Sequence, residues 1–101
     1  MGARFKGYRV PQILHTNIAH HGAPMEVDVA IEEMSELIKE LVKNRRGRDN
    51  IVQIAEEIAH VEIMLEQLKV VFNCHNLVAE QWCQAMDRIA DGLIEDGALE
   101  G

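Results

Sequence analysis

Apolar residues recur along this chain at spacings of three and four, the period of a helix with one buried face. Turn-forming clusters interrupt the pattern at Pro11, at His21-Gly22-Ala23-Pro24, over the stretch from Asn44 to Asn50, at Asn73-Cys74-His75-Asn76 and at Asp96-Gly97. Gly after a helical run, and Pro, Asp or Asn before the next, are stop and start signals. The spacing therefore predicts four helices: a short one over roughly Pro11 to His21, then Pro24 to Lys43, Asn50 to Phe72 and Asn76 to Glu95. Connections this short make successive helices antiparallel neighbours.

The second helix carries one apolar stripe, Val27, Ala30, Ile31, Met34, Leu37, Ile38 and Leu41, with Glu33, Glu36 and Glu40 together on a face well off its centre. At ~100° per residue the third helix has two apolar sides. Ile54, Ile58, Val61, Leu65, Leu68 and Phe72 form one, and Val52, Ala59, Ile63 and Val70 lie roughly opposite. Gln53, Glu56, Glu57, His60, Met64 and Gln67 run between them. A helix apolar on two sides must be covered on two sides, by its own bundle and by a second subunit or the short first helix. The fourth helix sets Val78, Trp82, Met86, Ile89 and Leu93 against Glu80, Gln84, Asp87, Asp91 and Glu95, the pattern of a scaffold helix. The expectation is an all-α fold: an antiparallel helical bundle of about four helices in a single domain spanning the chain, assembled as a homodimer or tetramer.

Length and composition agree with that class. A single domain of 101 residues buries only ~60 to 65% of its unfolded surface, which makes oligomerisation a natural expectation. Hydrophobic residues make up 48% of the chain but aromatic ones only 4%, which suits interdigitating helices better than a sandwich of sheets. Seventeen Asp+Glu against ten Lys+Arg leave a net charge of −7, which argues against nucleic-acid backbone as the main partner. No apolar run reaches the roughly 18 residues of a membrane span, and the first nine residues do not resemble a signal peptide, so a cytoplasmic protein without a membrane partner is expected. Cys74 and Cys83 have neither zinc nor disulfide spacing and are expected to be reduced core thiols.

Candidate chemistry sits on the two central helices. Glu32-Glu33-Met34-Ser35-Glu36 on the second and Glu56-Glu57-Ile58-Ala59-His60 on the third each offer side chains at i and i+3 that share a face. Facing each other, they would form a carboxylate-rich pocket for a hard divalent cation such as Mg²⁺, which takes oxygen ligands and bridges to substrate phosphates. The same spacing also describes an ordinary solvated acidic face. No GxxxxGK[ST] is present, so the chain is not a P-loop enzyme.

The stretch from Ala30 to Lys39, a short basic loop, and then the stretch from Ala55 to Leu68 resemble the MazG-like, all-α nucleotide pyrophosphohydrolases, whose pattern is EExxE, a spacer, then ExxD. The likeness extends from about Ile13, through Ile18-Ala19-His20-His21-Gly22, to the end of the third helix. The resemblance implies a helical bundle forming dimers or tetramers. It also implies Mg²⁺-dependent hydrolysis of nucleoside triphosphates to the monophosphate and pyrophosphate. Carried over position by position, it implies Glu33, Glu36 and Glu57 as metal ligands, with Glu32 and Glu56 supporting them or orienting water as candidate bases.

This chain has His60 where the pattern asks for Asp. A neutral imidazole suits Mn²⁺, Zn²⁺, Ni²⁺ or Cu²⁺ better than Mg²⁺, so His60 either shifts the metal preference, weakens the site, or hydrogen-bonds a glutamate. The expected function is a Mg²⁺-dependent, or Mn²⁺-dependent, nucleoside triphosphate pyrophosphohydrolase. The alternative is a catalytically weakened bundle that binds nucleotides or a protein. A purely structural helical oligomer is a third reading.

Other residues carry weaker signals. Arg45, Arg46 and Arg48 would either hold phosphates or complement the end of a helix dipole. His15, His20 and His21 lack zinc spacing. Trp82 lies on the apolar stripe of the fourth helix and is expected in the core, while Asp87 and Asp91 are expected on a solvated face.

Overall fold

Proline stands in the first turn of two helices, where its missing N–H costs nothing: Pro11 opens α1 (Val10–His21) and Pro24 opens α2 (Ala23–Arg45). The computed structural model describes residues 2–101. Two further helices follow, α3 (Ile51–Val71) and α4 (His75–Glu95). All four fall within two residues of the spans that periodicity predicts. A hairpin absent from that expectation precedes them: β1 (Arg4–Phe5) pairs antiparallel with β2 (Tyr8–Arg9), in the register Arg4 to Arg9 and Phe5 to Tyr8. Lys6 and Gly7 between the strands both have positive φ, the twist that suits a two-residue hairpin turn.

Gly22 alone separates α1 from α2. Its φ of +90° turns the chain while its N–H still bonds the Ile18 carbonyl at 2.7 Å. α2 and α3 form the antiparallel pair that carries most of the packing, α1 lies against both, and α4 packs mainly on α3. The radius of gyration is 17.2 Å, against ~13 Å for a compact chain of 100 residues. The four helices therefore do not close into one compact bundle.

The α2–α3 seam has an unexpected composition. Glu26, Glu33 and Glu40 are spaced seven apart on α2, and each meets a polar side chain across the interface. Glu26 accepts a hydrogen bond from the Gln67 amide, Glu33 Oε2 lies 3.1 Å from His60 Nδ1, and Glu40 Oε1 accepts from Asn50 at 3.0 Å. Asn50 also donates to the Glu40 main-chain carbonyl at 2.9 Å. Gln67 is only 1% exposed and takes a further bond from Asn17 of α1 at 2.6 Å, while His21 reaches Glu26 at 3.2 Å. Three helices are thus tied through one buried amide.

This arrangement corrects the expected faces. Glu33 and Glu40 belong to the packed side of α2 together with Ala30 and the half-buried Val27, Met34 and Leu37 of the expected apolar stripe, whereas Ile31 and Ile38 of that stripe are 58% and 62% exposed. On α3 the buried residues are Ile54 of the first apolar side and Met64 and Gln67 of the strip between the two; Glu57 of that strip is half-buried, while Gln53, Glu56 and His60 are exposed. Ile58, Leu65 and Phe72 on one apolar side, and Val52 and Ile63 on the other, are exposed. The reason is pairing: a buried carboxylate needs a donor opposite it, and only the rotation that faces Glu26 to Gln67 and Glu40 to Asn50 supplies one.

α4 has no buried residue. Trp82, expected in the core, is 61% exposed, and Cys83, expected as a core thiol, is exposed too, because α4 packs on too little of the chain to cover its own stripe. Cys74 is half-buried.

Two outcomes test the seam. Gln67→Leu, although it adds apolar volume to the interior, takes the amide donor from Glu26 Oε2 and the acceptor from Asn17, and should cost about 2–3 kcal/mol in urea unfolding. At Glu40, the Asn50 hydrogen bond, and after it Lys43, hold the carboxyl below the usual glutamate range. Its contribution is therefore present above roughly pH 4.3 and lost as pH falls through the lower folded value. The stability gap between wild type and Glu40→Ala should be open at neutral pH and close on acidification in parallel urea titrations.

Candidate metal centre

Glu57 and His60 are one helical turn apart on α3, and the middle rung of the seam brings Glu33 of α2 against them. His60 Nδ1 lies 3.1 Å from Glu33 Oε2 and 3.7 Å from Glu57 Oε2, and one donor atom of each of the three residues falls within 4.8 Å of the others. Ionised carboxylates only accept hydrogen bonds, so the ring in this arrangement donates Nδ1–H to Glu33. Among the described residues this is the single cluster of three potential metal ligands.

Glu57 is the strained member. Its Oε2 is buried without a hydrogen-bond partner, since 3.7 Å from His60 is too long for one. Desolvation first, then the neighbouring Glu33 carboxylate, with a smaller contribution from Glu36, push its carboxyl above the usual range, and His60 offsets only part of this. An oxygen that is desolvated, lacks a donor and faces a second carboxylate is a place where a cation lowers the energy. By that test the residues present fit a divalent ion.

The structure unites three of the four expected metal ligands. Glu36 stands outside the cluster and lies 3.9 Å from Lys39, though its charge still acts on Glu57. Glu32 and Glu56 are exposed and also outside it. His60 contacts the glutamate across the helix pair, nearer than Glu57 on its own helix. Val29, Ile63 and Met64, which motif reading does not single out, line with Glu33 and His60 a shallow cavity of about 200 Å³. Ligand pockets for molecules of nucleotide size span roughly 300–1,000 Å³, so one chain offers room for an ion, its waters and a phosphate group rather than a whole nucleotide. Asp87 and Asp91 are exposed, as expected.

No family model, no curated protein and no solved structure matches the chain.

The like-charge pair has a measurable consequence. In chelator at neutral pH, Glu57→Gln should melt above wild type, because it removes the repulsion with Glu33. In excess Mn²⁺ or Mg²⁺ the order should reverse, since wild type alone gains about 2.7 kcal/mol at a hundredfold excess of ion over Kd. Wild-type melting indifferent to either ion would show that the cluster holds no metal.

Proposed function

We propose that the chain is a divalent-metal-dependent nucleoside triphosphate pyrophosphohydrolase that works as a homo-oligomer. The observation that carries this reading is the convergence of Glu33 and Glu57 from two antiparallel helices, with one carboxylate oxygen buried and lacking a donor. The resemblance of the Glu32-Glu33-Met34-Ser35-Glu36 and Glu56-Glu57-Ile58-Ala59-His60 segments to the MazG-like pattern supports the same reading.

In this proposal Glu33, Glu57 and a nitrogen of His60 hold Mg²⁺ or Mn²⁺, and Glu36 adds negative charge behind them. The ion supplies neutralisation of triphosphate charge and a more acidic water. Water attacks the α-phosphorus, a new P–O bond forms, and the bridging bond to the β-phosphate breaks, releasing monophosphate and pyrophosphate. The proton lost by water passes to a carboxylate oxygen, for which Glu32 and Glu56 are the candidates. Without metal the Nδ1 hydrogen of His60 rests on Glu33; an imidazole nitrogen offered in its place would favour metals that take nitrogen ligands.

Oligomerisation follows from how the chain uses its apolar residues. Among the described residues Ala30, Ile54 and Met64 are the buried hydrophobic ones, while Ile31 and Ile38 of α2, Val52, Ile58, Ile63, Leu65 and Phe72 of α3 and the stripe of α4 are exposed. Exposed apolar surface on that scale is unusual for a monomer. A second copy of the chain, as a dimer or tetramer, would cover it and enlarge a cavity too small for a nucleotide.

The His60–Glu33 contact favours one other reading, a catalytically weakened bundle that binds nucleotides or a protein partner without turnover. Pyrophosphate release from a panel of nucleoside triphosphates, with Mg²⁺ or Mn²⁺, separates the two. Under the proposal Glu57→Gln loses at least ~100-fold in rate, as expected for removal of a group that stabilises the transition state electrostatically. His60→Asp raises Mg²⁺-dependent turnover and reduces the preference for Mn²⁺. Nucleotide binding without pyrophosphate release, in wild type and His60→Asp alike, supports the weakened bundle. Light scattering at micromolar concentration should give at least a dimer, and a stable, well-folded monomer would refute the assembly.

A further inference from the structure

The loop between α2 and α3 takes no part in the proposed reaction, yet it concentrates the positive charge of an acidic protein. Five of the ten Lys+Arg residues fall between positions 39 and 49, against two acids, Glu40 and Asp49. Lys43, Arg46, Gly47 and Arg48 line an open cavity of about 350 Å³. The bend that shapes it depends on Gly47 at φ +95°, and its backbone donors are already used: Gly47 N–H bonds the Asn44 carbonyl at 2.9 Å and Arg48 N–H the Lys43 carbonyl at 3.1 Å. The side chains are therefore what the cavity offers a ligand. The ion pairs among the described residues use histidine and lysine, and none uses an arginine, although acids outnumber bases in the chain. Lys43 is engaged by Glu40 at 3.0 Å, whereas Arg46 and Arg48 are exposed and have no carboxylate partner. The dipole of α2 does not account for them, because Lys43 and Arg45 already stand in its last turn.

We infer that the cavity formed by Lys43, Arg46, Gly47 and Arg48 binds a compact phosphate oxyanion of the size of pyrophosphate or a triphosphate tail. Two guanidinium forks match the geometry of phosphate oxygens, and binding relieves the repulsion between Arg46 and Arg48, the two cations of the bend without an ion-pair partner. The net charge of −7 favours a compact anion over an extended one, since the further phosphates of a nucleic-acid strand would approach a protein of their own sign. This site is separate from the metal centre of the same chain. Arg46 lies thirteen residues beyond Glu33, about 20 Å along the helix axis, well past the reach of its side chain. The inference therefore stands independently of the proposed hydrolysis.

Calorimetric titration of the full chain with sodium pyrophosphate in EDTA, at ionic strength matched with NaCl, tests it without involving the metal centre. Saturable binding of one pyrophosphate per chain is expected. Arg46→Gln with Arg48→Gln should weaken it at least tenfold, Arg46→Lys with Arg48→Lys should weaken it less, and Glu57→Gln should leave it unchanged. Melting curves of both double variants verify that they remain folded. Absence of saturable binding, equal affinity in the double Gln variant, or tighter binding of a single-stranded oligonucleotide than of pyrophosphate would overturn the inference.

Discussion

The carboxylates of Glu26, Glu33 and Glu40 must each find a donor across the α2–α3 seam, and this requirement sets the rotation and register of the central helix pair. A spacing of seven residues keeps a side chain on the same side of two helices that pack at a shallow angle. The partners Gln67 and His60 are also seven apart, and Asn50 ends the series at the start of α3. Sliding either helix by one turn would leave at least one of these carboxylates without its donor, at a cost larger than any rearrangement of exposed leucines and isoleucines would recover. The pairs thus specify one alignment more than they add stability.

The three rungs are satisfied unequally, and that inequality creates the site. Glu26 lies between Gln67 and His21, and Glu40 between Asn50 and Lys43, so both end rungs have their polar partners, and Glu40 has a counter-charge in Lys43. The middle rung brings two carboxylates, Glu33 and Glu57, to one histidine, and one oxygen is left over. A seam that is well paired at both ends holds its ill-paired centre in place, which is how a folded protein keeps like charges together.

A polar seam inside leaves apolar residues outside. Ile31 and Ile38 on α2 and Ile63 on α3 stand beside the cluster rather than beneath it, and α4 carries its stripe away from the helix pair. The exposed apolar surface and the shallowness of the cavity therefore follow from the same rotation of α2 and α3. The cationic loop is a separate matter, set by the chain reversal at Gly47 and by Asn50, whose side chain is committed to Glu40.

The sequence by itself determined the number of helices, their limits to within two residues, and the pairing of Glu57 with His60 on one turn, because periodicity and turn residues act locally. It did not reveal the hairpin at Lys6-Gly7, whose strands are two residues each and too short to show alternation. Nor did it reveal which sides of α2 and α3 meet. Counting apolar residues placed Glu33 and Glu40 off the packed stripe and Trp82 in the core, since a hydrophobic period records what must be covered but not by which chain. Only the tertiary structure decided that the glutamates face inward. The donors that make this possible, Gln67, His60 and Asn50, lie ten to forty-one residues away from them in sequence. A buried charge is satisfied by a partner in space, and no local pattern carries that information.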